Sequence, residues 1–437
     1  QIENRAKVKF EELRNKVKVN EDVIKIEIDN IKLGTLIYDG YKIYHKVPIL
    51  NLEDKNFWFF LKDFIKLYYF WYDYIKNNNI KSVIGCHSTY AYGIPLRIAL
   101  NFNIPSIAIE DGVVYNLTKK NLYQNSDFKY YKKIFSSFSE EQKIKARKLA
   151  SKFLQKRFDG KTGIDIKESR IVTSSFSQKY NEENKVLKQN EKLNVVIFTH
   201  EINDASNGFG ETLYPDYYEW LKSIISISKN TNYNWYIKDH PKYHGKFNPG
   251  QTMTENATKD LIKLNPNIIY LQSSTSHHQI IKEGVDFVLT VNGDIAYEYA
   301  YFNIPVLTAS KNCFTYDYNF NIHSDTREEF EKNLKNLQNI KITIDRDEVL
   351  EFYFMSSVYR NHDILINIFS KFLKESNNWE NLFSENIYDF FTKYWNTNNH
   401  NKILKTISNF FNSKDYFLDY RHAEMTVDQL IDKESIQ

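Results

Sequence analysis

Short apolar runs that end in polar turns alternate with helix-like stretches along most of the chain, and this pattern predicts an α/β fold. Ser82 to Gly85 reads as a strand, Gly93 to Phe102 as a helix, and Ile104 to Ile109 as a strand ending at Glu110-Asp111-Gly112. A polar stretch rich in Asn, Glu and Lys, around Lys179 to Lys192, interrupts the pattern. It then restarts with strands at Val195–Phe198, Asn234–Lys238, Ile268–Leu271 and Val306–Thr308, and helices at Asp216–Ile227 and His277–Lys282. Upstream, Leu36-Ile37-Tyr38-Asp39-Gly40 reads as a strand meeting a turn, and Phe57 to about Lys76 as an amphipathic helix. Beyond residue 346 the pattern is helical and aromatic, without Gly or Pro.

The expected organisation is therefore two Rossmann-like lobes with parallel sheets and a cleft between them. The first spans residues 1–188, the second 189–345, and a helical extension covers 346–437. A length of 437 residues exceeds what one ordinary core serves, so two domains plus an extension fit. Strand, helix, strand alternation implies parallel pairing, with ligands expected at the carboxyl ends of the strands.

The segment Val285 to Pro305 carries this logic furthest. Phe287 to Val291 is an apolar run suited to a strand covered on both faces. Asn292-Gly293-Asp294 is a turn whose last residue is placed to cap a helix running to about Phe302. Amides at such a helix start favour phosphate. Glu298 follows Asp294 by four residues, which puts both carboxylates on one helix face.

Composition narrows the partners. The net charge of +3 is the small difference between 58 basic and 55 acidic residues, so there is no bulk case for nucleic acid and any anion preference is local. Only Cys86 and Cys313 are present, which gives no disulfide scaffold and no Cys-based zinc site, and fits a reducing, cytoplasmic compartment. No signal-peptide pattern appears, and the most apolar stretch, Phe57 to Ile75, carries Lys62, Asp63, Lys66 and Asp73, which argues against a membrane span. Nothing in this composition shows a dedicated membrane anchor.

Each candidate group has a plain structural reading beside a functional one. Lys238 and His240 precede Pro241 at a strand end: either an ordinary turn closed by Pro, or donors to a nucleotide phosphate with Pro241 fixing the backbone. Glu110 and Asp111 are either a solvated turn, or carboxylates pinned by a strand to act as base or nucleophile at an anomeric carbon. In Ser273-Ser274-Thr275-Ser276 one hydroxyl is expected to cap the helix from His277 while another, or an amide, reaches phosphate. His200, after Phe198-Thr199, is either a packed edge residue or a group at the donor sugar or acceptor. His87-Ser88-Thr89 is expected on a carboxyl-edge loop, toward acceptor or sugar. His277 and His278 are adjacent and so lie on different helix faces, and no Asp-x-Asp or Walker arrangement occurs, so no metal is required.

Taken in order, Glu110-Asp111-Gly112, Lys238-Asp239-His240-Pro241, Ser273-Ser274 and Asn292-Gly293-Asp294 with Glu298 resemble the motifs of metal-independent GT-B glycosyltransferases that use CMP-activated acidic sugars. These include bacterial sialyltransferases and the capsule transferases for Kdo-like sugars. Phe198-Thr199-His200 through Tyr217-Tyr218-Glu219-Trp220 looks most like the capsule branch. The resemblance spans about residues 30 to 340 by scattered short motifs.

It implies Asp111 as base or nucleophile beside Glu110, His240 and Pro241 on the CMP phosphate and cytidine, Ser273 and Ser274 on the phosphate, and Glu298 on the ribose. It also implies a CMP-sugar co-substrate, no further cofactor, a bacterial surface glycan as acceptor, and a pathway compatible with peripheral association at a membrane surface. Capsule transferases often carry Gly-Thr or Ser-Ser where this chain has Asn292-Gly293-Asp294, a departure that bears on the donor. Rival functions are a phosphotransferase using CDP-glycerol, a sugar-nucleotide epimerase of similar fold, and a glycan-binding scaffold without catalysis.

Overall fold

The computed structural model describes residues 1–110, 113–160, 176, 180–240, 249–360, 385–394 and 396–435, with Glu110, residues 249–251, Asn386, Tyr394 and Asn399 described through the backbone alone. The chain opens with helices α1 (Ile2–Lys16) and α2 (Asn20–Ile24), a small antiparallel pair β1 (Glu27–Ile28) and β2 (Ile31–Lys32), then α3 (Gly34–His45) and α4 (Lys55–Asn77). Asp54 caps α4 by accepting from the Asn56 amide at 2.9 Å, and Phe57, Leu61, Phe64, Ile65 and Tyr68 form its buried stripe. That stripe packs with α1, α3 and residues Ile94 and Ile98 into a separate N-terminal core.

Residues 34–45 correct the expectation of a strand at Leu36–Gly40, because α3 is helical throughout. A short apolar run does not by itself separate a buried strand from a buried helix, and here every residue from Gly34 to Lys42 is buried. Gly34 lets α3 begin against the end of α2, since a Cβ there would lie 2.0 Å from the Ile24 carbonyl oxygen.

The first sheet comprises β3 (Val83–Gly85), β4 (Ser106–Glu110) and β5 (Val113–Leu117), with α5 (Gly93–Asn101) between β3 and β4. β3 and β4 run parallel, but β4 and β5 are antiparallel, paired from Ser106 with Leu117 to Glu110 with Val113. The first lobe's sheet is thus mixed, not purely parallel: the acids follow a strand whose neighbour returns at once, so no crossover helix intervenes. Helices α6 (Tyr131–Ser136) and α7 (Glu140–Phe158) follow, and a Ser139–Gln142 capping box starts α7.

The second sheet is fully parallel and five-stranded, in the order β10-β9-β6-β7-β8. Its strands are β6 (Asn194–Phe198), β7 (Asn234–Lys238), β8 (Ile269–Leu271), β9 (Phe287–Thr290) and β10 (Val306–Thr308), interleaved with α8 (Tyr217–Ser228), α9 (Pro249–Ile262), α10 (His277–Lys282) and α11 (Ile295–Tyr301). Val195, Ile197, Trp235, Ile237 and Leu289 face one buried layer, while Val196, Phe198, Tyr236 and Val288 face another, so the sheet is covered on both sides. Strand order reverses between β6 and β9. That reversal places the crevice of a doubly wound sheet beyond the carboxyl ends of these two strands.

Among the described residues, helices α12 (Arg327–Lys335), α13 (Arg346–Tyr353), α14 (Asn386–Tyr394), α15 (Thr397–Ser413) and α16 (Val427–Ser435) follow. A π-helical turn at Phe354–Tyr359 continues α13. One core combines Ala108, Val113 and Tyr115 of the first sheet, Tyr297 and Tyr301 of α11, and Val349 to Tyr359 with Leu430. Residues 416–418 also lie along β5, with the Asn116 amide donating to the Tyr416 carbonyl at 2.7 Å and the Leu418 amide to Val114 at 2.9 Å. No helix among the described residues is long and apolar enough to cross a membrane.

Candidate functional site

The crevice at the strand-order reversal is occupied by the His200 ring. His200 follows β6, and its Nε2 lies 3.2 Å from the Val291 amide and 3.3 Å from the Asn292 amide, both just beyond β9. Thr290 Oγ1 is 3.2 Å from the same nitrogen and accepts from the Gly293 amide at 3.2 Å. Gly293 leaves room for this arrangement, since a Cβ there would sit 2.8 Å from Thr290 Oγ1. The ring stacks on Tyr217 at the start of α8, with centroids 4.5 Å apart and planes 19° apart. Burial, assisted by His240, pushes the His200 pKa down to about 3. A phosphate on these amides was the sequence expectation. In the structure His200 and Thr290 take up the amides of Val291, Asn292 and Gly293 instead.

Asp294 does not cap α11 through its side chain, another correction to the sequence reading. It accepts from Arg157 Nη2 at 3.1 Å, and Glu298 accepts from Arg157 Nε at 2.5 Å. The spacing of four residues does bring both carboxylates to one helix face, but toward an arginine from α7. Glu298 is buried in this contact, which competes with the ribose role implied by the resemblance.

Lys238 is fully buried and donates to the Ser273 carbonyl at 2.8 Å, and burial pushes its pKa down to about 8. Its ammonium is thus engaged within the protein, where the sequence pointed to a phosphate. The His240 amide donates to Thr199 Oγ1 at 3.1 Å, which sets the chain direction after β7. Ser276 is the hydroxyl that caps α10, leaving Ser274 exposed at the carboxyl edge of β8. Asn292, whose amide serves His200, is 6% exposed, and among the described residues neither its side-chain oxygen nor its nitrogen has a hydrogen-bond partner. Pro241 lies outside the described residues.

In the first lobe, Ser88 and Gln124 exchange hydrogen bonds at 2.7 and 3.0 Å, and Thr89 Oγ1 lies 2.8 Å from His87 Nδ1. Ser88 and Thr89 are buried by these contacts, so they shape the loop and leave His87 as its part-exposed member. Parallel register pairs Gly85 with Ala108, which sets His87 and Glu110 at one sheet edge. Asp111 lies outside the described residues.

The two carboxyl edges meet through the loop after β6. Tyr90 donates to Asp204 Oδ1 at 3.2 Å, and a Cβ at Gly208 would lie 3.5 Å from the Thr89 methyl. Helix α3 contributes the buried part of this seam. Tyr38 donates to Asp216 Oδ2 at 2.5 Å, Lys42 to Ser206 Oγ at 3.2 Å, and Asp39 accepts from the amide and the side chain of Asn207 at 3.1 Å each. Desolvation pushes the Asp39 pKa up to about 7, opposed by Lys42 and Asn207. The sequence reading assigned no role to Asp39, Lys42, Asp204 or Asn207. An acid inside the apolar run Leu36–Tyr41 was the available signal, because a charge is not buried without partners.

Fold and site together define an α/β protein with a doubly wound parallel sheet whose crevice faces the carboxyl edge of a second, mixed sheet. No protein-family model and no curated protein matches the chain. Among solved structures it is similar to the Thermosulfurimonas dismutans KpsC beta Kdo 2,4 transferase, at 12% identity and a TM-score of 0.36 over 62% of this chain and 78% of that one. The beta Kdo 2,7 transferase of the same protein gives 15% identity and a TM-score of 0.35, over 66% and 80%. The Methanocaldococcus jannaschii UDP-GlcNAc 2-epimerase, in complex with UDP-GlcNAc and UDP, gives 13% and 0.28, over 75% and 94%. At such values the class rests on the chain's own sheets and their register.

Proposed function

We propose that the chain is a glycosyltransferase that moves an acidic sugar of the Kdo or sialic-acid kind from a CMP donor to a bacterial surface glycan. The observation that carries this reading is the meeting of two carboxyl edges, His87–Tyr90 with Glu110 on one sheet and His200–Gly208 on the other, at one seam. Ligands of open α/β sheets bind at that edge, beside the strand-order reversal. The nucleotide is assigned to the second sheet, where Asn292 has an unsatisfied buried amide and Ser274 is exposed. The acceptor is assigned to the first.

In this reading Asp111, next along the chain from Glu110, deprotonates the acceptor hydroxyl or attacks the anomeric carbon. The test is incubation of the full chain with CMP-, CDP- and UDP-linked donors, with release of the free nucleotide followed. CMP release with an acidic sugar, lost in Asp111→Asn while CMP binding persists, supports the proposal. Turnover of CDP-glycerol or epimerisation of a UDP-sugar would replace it with the corresponding rival. Full turnover by Asp111→Asn would remove Asp111 from the mechanism.

A further inference from the structure

The His200 ring is held in one protonation state and one tautomer by its neighbours. A backbone N–H is only a donor, so the amides of Val291 and Asn292 require Nε2 to accept. Nε2 then carries no proton, and the single proton of the neutral ring lies on Nδ1. Nδ1 has no hydrogen-bond partner among the described residues, and the residue is only part-buried. Stacking on Tyr217 and the contact with Thr290 fix the ring plane.

We infer that His200 is a preorganised neutral hydrogen-bond donor, whose Nδ1–H binds an oxygen of the donor phosphate at the strand-order reversal. The ligand named here rests on the reading under Proposed function, while the tautomer does not. A neutral donor suits this step: it stabilises negative charge on the departing phosphate oxygen without giving up its proton, so CMP leaves as its anion and no proton changes hands at His200. The ionisable groups facing the ring are His240, from the turn after β7, and Tyr217, from α8, which in turn feels Asp204 and Asp39. Among the described residues no carboxylate is hydrogen-bonded to the ring to hold an imidazolium. The nearby Asn292 side chain, buried with neither polar atom paired among the described residues, is a second sign that the crevice is built for a polar ligand.

Two variants separate this role from simple support of the turn. His200→Gln offers a carbonyl oxygen near the Nε2 position to accept the amides, but supplies no N–H near Nδ1. His200→Asn offers an N–H near Nδ1 and leaves the amides unmet. If His200 is the donor, His200→Gln loses about 100-fold in kcat with KM little changed, the scale for loss of one such donor, and His200→Asn retains more. The reverse order would overturn the proposal.

The second readout is NMR of the full chain labelled with 15N-histidine, with His200 assigned by its absence from His200→Asn. The expected pattern is a neutral ring protonated on Nδ1 from about pH 8 down to about pH 5, where an ordinary histidine titrates, with the Nδ1 signal moving when CMP is added. A ring that titrates in that window, or that is protonated on Nε2, overturns the proposal. CMP that binds without moving the signal overturns the donor role. If CMP does not bind, the nucleotide reading itself fails and the ligand assigned to Nδ1 fails with it.

Discussion

Two of the contacts between the parts of this molecule are built differently. Where α7 meets α11, Arg157 is buried against Glu298 and Asp294, beside the aromatic core that the C-terminal helices share. Where α3 and Tyr90 meet the loop after β6, the contacts are hydrogen bonds donated by Tyr38, Lys42 and Tyr90, and two that Asp39 accepts from Asn207. The first contact pairs its full charges and works as a structural anchor. The second lies beside polar groups still available, the Nδ1–H of His200 and the amide of Asn292. Chemistry is expected where polar capacity remains, because a site with every partner satisfied has nothing to offer a ligand.

The sharpest way to break this contrast is Arg157→Ala. Removing one partner of a buried ion pair leaves Glu298 uncompensated, and the expected loss is about 3–5 kcal/mol, read by urea unfolding. The variant Arg157→Met/Glu298→Gln should recover much of it. Failure to recover would mean that Arg157 holds the fold chiefly through packing on α7.

At the other contact, Asp39→Ala strands the donors of Asn207 and is expected to cost about 1–3 kcal/mol. The pH dependence has a definite sign. Because the folded-state pKa of Asp39 is raised to about 7, its contribution to stability is fully present below the unfolded value near 4 and is lost as pH rises through about 7. Unfolding free energies measured from about pH 4 to pH 8 should show a decline across this window that Asp39→Asn removes. An unchanged profile in that variant would assign the decline to another group.

Gly293→Ala should cost about 1–3 kcal/mol, the scale of overpacking, because its Cβ meets Thr290 Oγ1 and disturbs the support of His200. Weaker CMP binding in calorimetry should accompany it. The smallest effect belongs to Tyr38→Phe, which removes one hydrogen bond to Asp216 for about 0.5–1.5 kcal/mol. Asp216 keeps its cap on α8 through the Glu219 amide at 2.8 Å. A larger loss would show that the seam is more cooperative than its separate bonds.

The strands and most helices of the second half were legible because strands covered on both faces read as unbroken apolar runs: Asn234–Lys238 and Val306–Thr308 appear as expected. The starts of α4 and α8 are set just as locally, since Asp54 and Asp216 accept from amides two and three residues on, although the apolar pattern put the first start at Phe57 and Asp216 inside the second helix. Helix α3 was not legible. It is buried from Gly34 to Lys42, so its polar positions Thr35, Asp39 and Lys42 face protein partners and not water, and its short apolar run reads equally as a strand.

What the sequence determined alone was the alternation of elements, the position of the polar turns after each strand and the shared helix face of Asp294 and Glu298. All of these depend on neighbours a few residues apart. The tertiary structure decided which partner each polar group finds: Arg157 for the two acids, the Ser273 carbonyl for Lys238, the β9 turn amides for His200 and Asn207 for Asp39. These partners lie between 35 and 168 residues away. Spacing along one chain does not encode such meetings, because they are set by strand order and by how the two sheets dock.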